Sequence, residues 1–327
     1  MRPLSLKGHD RALTRVRFNR EGDLLFSAAK NKAPCVWFTE NGERIGTYEG
    51  HNGVVWDLDV SWDTKTIATA SGDNSVKVWD CEKGICLDTI NQPTPARSVS
   101  LSFSGNLVAF TTMKMTKNLS SLCVCDIRDP EQMKDGGEPL FRSLFDVSAV
   151  MSLFSTLDEK ITIGNENGVL LQYDLRNSDS PFCSNESTHR FGITDLQLSP
   201  DGAFIISSSK DKTASLLDVT NLAQLKQYRS ERPVNSACVS PIRDHIVLGG
   251  GEDAMQVTQT AVSAGHFEAK FYHMVFEEEF ARFKGHFGPI NTLAFHPDGS
   301  IVASGGEDGY VRVQEMDPDY LEFTYDY

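Results

Sequence analysis

Residues 50–80 read GHNGVVWDLDVSWDTKTIATASGDNSVKVWD. This stretch contains a Gly-His pair, two apolar runs with strand-like alternation, a turn, and a Trp-Asp pair 28 residues after the histidine. The same ruler recurs along the chain. His9 is followed 28 residues later by Trp37, His189 by Leu217 and Asp218, and His286 by Gln314 and Glu315. Six residues before those end points stand Asn31, Asp73, Asp211 and Asp308, and four before these stand Ser27, Thr69, Ser207 and Ser304. Each segment carries a central turn: NREGD, SWDTK, SPDGA and HPDGS. Between turns the alternation of TIATA, VKVW and YVRV has the period of two expected of strands.

Weaker copies fill the gaps. Residues 145–174 end in NENGVLLQYD, with Asn167 and Tyr173 in the aspartate and tryptophan positions. Residues 96–126 end in SLCVCD, with Cys125 in the tryptophan position. Residues 231–259 contain GGGEDAMQVTQ, with Asp253 in the aspartate position. Seven units of this length predict an all-β, seven-bladed WD-repeat propeller. The expected repeats are 8–48, 50–90, 91–142, 143–187, 188–229, 230–283 and 285–317 in a single domain. The last unit lacks a fourth strand, and PLSLK at 3–7 is expected to supply it, closing the ring and protecting its edges.

That fold assigns the histidines. The expected hydrogen-bonded chain joins His51, Thr69, Asp73 and Trp79 in the second repeat. The shorter sets are His189, Ser207, Asp211 and His286, Ser304, Asp308. Buried polar groups must be paired, so these residues read as structure rather than as a metal or general-base site. His296, in an HPDG turn, reads as a turn residue.

Two places break the rhythm. Residues 110–122 predict an extended connection between the second and third strands of blade three. Residues 260–284, with aromatics at Phe267, Phe271, Tyr272, Phe276, Phe280 and Phe283 and an acidic run Glu277 to Glu279, predict a long excursion after the third strand of blade six. It reads either as a hairpin on its own blade or as a partner-docking flap.

The 327 residues carry a formal charge of −14, which argues against an autonomous DNA or RNA binder. The charge is uneven. Residues 1–32 hold eight Lys or Arg against three acids, including Arg11, Arg15, Arg17 and Arg20, a strip that reads either as solvated or as facing RNA or an acidic protein. Residues 307–327 hold seven acids and one Arg. The seven cysteines (Cys35, Cys81, Cys86, Cys123, Cys125, Cys183 and Cys238) form no CxxC pair, and no apolar run suits a signal peptide or membrane helix. Free thiols in a cytoplasmic or nuclear compartment are expected, with Cys123 and Cys125 a buried structural pair. There is no GxSxG, HExxH, P-loop or dinucleotide-binding glycine pattern, so neither catalysis nor a cofactor or metal is expected.

Several stretches go beyond a generic WD repeat: NREGDLLF at 19–26, WDTK at 62–65, ERPVNSA at 231–237, VLGGGEDAM at 247–255, GHFEAKFYH at 265–273, FEEEFARFKGHFGPIN at 276–291 and SGGEDGYVR at 304–312. Together they resemble the subunit I family of eukaryotic translation initiation factor 3, end to end and most specifically in the C-terminal third. The resemblance implies a cytoplasmic, non-catalytic scaffold subunit, monomeric when alone, in a factor that binds the small ribosomal subunit and promotes pre-initiation complex assembly, mRNA recruitment and scanning. It implies docking to subunits B and G, with no direct DNA or membrane contact. It also implies that the side of blades five and six, at Leu216 and Asp218 in SLLDV, receives the B partner. An exposed apolar residue beside an acid would suit an amphipathic basic helix. The competing reading packs Leu216 in the blade and makes Asp218 a turn cap. A second functional class is a WD-repeat adaptor in a signalling or ubiquitin-ligase complex. A phosphopeptide reader of that class would need an Arg cluster, where the turns after the second strands offer only Lys30, Lys32, Lys210 and Lys212.

Overall fold

The computed structural model describes residues 3–134, 136–177, 180–251 and 267–322. Seven four-stranded antiparallel sheets follow one another along the chain, each a meander of strands a to d. The a strands are Leu13–Phe18, Val55–Val60, Ala96–Leu101, Ala149–Phe154, Ile193–Leu198, Val234–Val239 and Ile290–Phe295. Each contacts the a strands on either side, and the last contacts the first, so the ring is closed. Blade seven is completed by Leu4–Lys7, which pairs antiparallel with Tyr310–Glu315 in the register Leu4↔Val313 to Lys7↔Tyr310. Leu6 is buried against Val311, Val313 and blade one.

Both faces of most b and c strands are buried, because each sheet packs between two others. Ile67 and Trp79 face blade one, together with Phe26 and Val36, while Ala68, Val76 and Val78 face blade three. This explains why the alternation in the sequence is often a continuous apolar run rather than in-and-out.

Blade six corrects the expected layout. Its strands b, c and d are His245–Gly250, Glu268–His273 and Glu279–Lys284. The third strand is EAKFYH, paired His245↔His273 to Leu248↔Lys270. The extra residues therefore precede strand c, and only a short turn separates c from d. Register decides this: Tyr272 meets Ile246 and Leu248 on the blade-five side, while Ala269 and Phe271 meet Val247 and blade seven. Phe271 also packs on Phe280, Phe283 and Tyr320, the last from the short helix Pro318–Glu322. Two members of the acidic run are ion-paired, Glu277 with Lys226 and Glu279 with Lys270 and Arg282. Asp253 and residues 260–266 of the expected excursion lie outside the described residues. In blade three the connection spans 113–119, between Leu107–Thr112 and Ser120–Asp126.

Candidate functional site

Among the described residues the histidine chains assemble in four blades. In blade two Trp79 Nε1 donates to Thr69 Oγ1 at 2.8 Å, and Thr69 Oγ1 lies 2.7 Å from His51 Nε2. His51 Nδ1 lies 3.0 Å from Asp73 Oδ2, which also accepts from the Asn52 amide at 2.8 Å. One direction of donation satisfies every member: the indole to the hydroxyl, the hydroxyl to the imidazole, the imidazole to the carboxylate. In blade five His189 lies 2.8 Å from Ser207 Oγ and 3.1 Å from Asp211. In blade seven His286 lies 2.8 Å from Ser304 Oγ and 3.1 Å from Asp308. Blade one repeats the pattern with Asn31 in place of the acid: His9 Nδ1 is 3.0 Å from Asn31 Nδ2, and Trp37 Nε1 donates to Ser27. Asn167 reaches the aspartate position of blade four, which contains no histidine to meet it. His296 Nε2 lies 3.0 Å from the Gly22 carbonyl and joins the turns of blades seven and one.

Burial pulls the His51 imidazole down despite its bond to Asp73, and pulls His9 and His245 down to about 4. A histidine whose folded pKa is depressed contributes stability above its unfolded pKa of about 6.5, and that contribution is lost as pH falls toward the folded value. The urea midpoint is therefore expected to fall from pH 6.5 to 4.5. His9→Gln should flatten that slope, and an unchanged slope would remove His9 from the account.

The central channel holds a network that the sequence reading missed. Arg15, 5% exposed, forms ion pairs with Asp57 (3.1 Å) and Asp195. Asp57 Oδ2 accepts from Ser98 Oγ and the Val99 amide, and Asp195 Oδ2 accepts from Ser236 Oγ and Gln197. Burial pushes the Asp195 carboxyl up, but Arg15 and Arg17 outweigh it and hold the group below its ordinary value. The N-terminal basic strip is thus not one surface. Arg15 lies inside the ring, Arg17 points toward Asp59 at 3.9 Å, and Arg20 stacks on Trp62. A signal was present: the third residue of each a strand is polar (Arg15, Asp57, Ser98, Asp195, Ser236 and Thr292), with Met151 the exception.

Of its two readings, Leu216 takes the packed one, which corrects the exposed apolar contact. It is 3% exposed, packed among Ile206, Tyr228 and Ile246 between blades five and six. Asp218 is solvent-accessible, and its Oδ1 accepts from the Thr220 amide (2.7 Å) and hydroxyl (2.5 Å), organising the turn to strand d. Next to it lies a 440 Å³ cleft between blades five and six, lined by Asp201, Phe204, Arg243, Asp244, His245 and Met274, among others. Asp218 is the register partner of Phe204. Cys123 and Cys125 are both buried in the blade core, and burial pushes Cys125 up to about 12, so it stays a thiol.

A family model described as EIF3I matches residues 1–326. The chain belongs to the eukaryotic translation initiation factor 3 subunit I family. It is 71% identical over 327 residues to the subunit I of Caenorhabditis elegans, covering 100% of both chains. The Brugia malayi subunit I is 62% identical over 327 residues, again end to end. That of Drosophila melanogaster is 49% identical over 323 residues, covering 98% of this chain and 99% of the relative. The subunit I family identity thus extends over all seven blades.

Proposed function

We propose that the chain is a non-catalytic scaffold subunit of eukaryotic translation initiation factor 3. In that role it supports pre-initiation complex assembly on the small ribosomal subunit, mRNA recruitment and scanning. It works in the cytoplasm and is monomeric outside the complex. The observation that carries the reading is end-to-end kinship at 71% identity, covering 100% of both chains. The histidine chains pair within single blades and Arg15 joins blades one, two and five through Asp57 and Asp195, and a rigid acidic ring suits partner choice by charge complementarity. Subunits B and G are its direct partners. The B partner takes the cleft between blades five and six, with Asp218 at its margin and Leu216 supporting it from beneath.

Affinity capture of the tagged chain from cytoplasmic extract in moderate salt, with mass spectrometry of the eluate, tests this. Stoichiometric recovery of the factor's other subunits, led by B and G, is expected. Recovery of a ligase or receptor complex without them would overturn it. The cleft is tested separately. Leu216→Ala should lower stability by about 2–4 kcal/mol through the cavity it leaves. Asp218→Ala should change stability by only about 1 kcal/mol while weakening recovery of the B partner. Recovery of that partner at the wild-type level with Asp218→Ala would place the contact elsewhere.

A further inference from the structure

On the rim formed by the a–b turns, which carries the cleft at blades five and six, the turns of blades one to three present one side chain each at the same position: Arg20, Trp62 and Phe103. Trp62 and Phe103 stack with centroids 4.3 Å apart, and the Arg20 guanidinium lies 4.4 Å from the Trp62 centroid. The two rings remain 44% and 45% exposed, and Leu157 of the next turn is 74% exposed. An exposed aromatic pair with a further exposed apolar residue on the next turn marks an interaction site more often than scattered apolar residues do.

The turns beneath it are held in place. The fourth turn position has positive φ throughout this group. Gly22, Gly105 and Gly202 occupy it in blades one, three and five, but Thr64 (φ 58°) and Asp158 (φ 55°) occupy it in blades two and four. A β-branched residue there is strained, by about 1–2 kcal/mol. Both side chains reach back to the preceding turn: Thr64 Oγ1 accepts from Asn19 at 3.4 Å, and the Asp158 carboxylate accepts from the Phe103 and Ser104 amides at 2.6 and 2.9 Å. Strain retained in this way is a feature of sites that bind, and a ridge ordered in advance loses little entropy on docking.

Charge selects the partner. The seven a–b turns (19–23, 61–65, 102–106, 155–159, 199–203, 240–244 and 296–300) hold eight acids against three Lys or Arg. Arginine beside stacked aromatics also suits nucleobases, but single-stranded RNA needs a positive groove for its phosphates, and this rim is negative. We propose that the Trp62–Phe103–Leu157 ridge docks a short basic segment of a partner protein that carries apolar side chains. The aromatic pair takes the apolar side chains, and Glu21 faces the cations; Glu159, on the turn of Leu157, is already paired with Arg176 at 3.2 Å.

A random short-peptide display library, selected on the full chain and counter-selected on W62A/F103A, tests this. Basic peptides containing Leu, Ile or aromatic residues should be enriched. A synthesised winner should bind the double variant roughly tenfold more weakly by fluorescence anisotropy. It should also weaken with E21K, which leaves the rings intact, and with added salt. Circular dichroism melting checks that both variants fold. No enrichment dependent on Trp62 and Phe103 would overturn the proposal, as would enrichment of neutral or acidic peptides. Two other results would also overturn it: an oligouridylate RNA that quenches Trp62 fluorescence, or self-association abolished by W62A/F103A.

Discussion

Replacing Trp79 by alanine will lower the unfolding free energy by about 3–5 kcal/mol, measured from the shift in the urea midpoint. Trp79 is fully buried and packs on Tyr48 and His51 at centroid distances of 5.8 and 5.9 Å. Its Nε1 is also the first donor of the blade-two chain. Two further variants separate packing from hydrogen bonding. Trp79→Phe keeps much of the apolar area and loses the donor, for about 1–2 kcal/mol. Thr69→Val keeps the shape but leaves the Trp79 N–H and His51 Nε2 without their shared partner, for about 2–4 kcal/mol. A Thr69→Val midpoint equal to wild type would show that the chain contributes nothing beyond packing.

Arg15→Met will destabilise the ring by about 3–5 kcal/mol, because Asp57 and Asp195 are left buried without their cation. The pH profile distinguishes this from simple loss of packing. In the wild type the Asp195 pKa is held below its ordinary value, so its contribution is present above about pH 4 and lost as pH falls through the lower folded value. Without Arg15, burial raises that pKa above the unfolded value. The sign then reverses, and the variant should regain stability as pH falls from 7 toward about 5. Arg15→Met combined with Asp57→Asn and Asp195→Asn should recover much of the loss at pH 7. An Arg15→Met profile parallel to wild type would contradict the pairing.

The elements most legible in the sequence were those made by short-range contacts. Each histidine chain closes within one blade, His51 to Asp73 over 22 residues and His51 to Thr69 over 18. The ruler that reveals the repeat is therefore also the contact map. The closing strand was legible for the same reason: PLSLK stands before Gly8-His9 as RIGTYE stands before Gly50-His51. Blade six was misread because QVTQ and EAKFYH both alternate like strands. Only pairing against His245–Gly250 and burial toward two neighbouring blades select the second.

Repeat number and the ring-closing strand were thus written in residues at fixed local spacing, while the resemblance to the subunit I family lay in particular stretches such as ERPVNSA and GHFEAKFYH. What tertiary structure alone decided was which way side chains point once blades are packed. Leu216 sits on a strand whose two faces are both covered by other blades, so alternation could not mark it as buried toward blade six. Arg15 looked like part of a basic surface because its partner Asp195 lies 180 residues away. A closed ring brings such distant segments together around its axis, and no local pattern records that meeting.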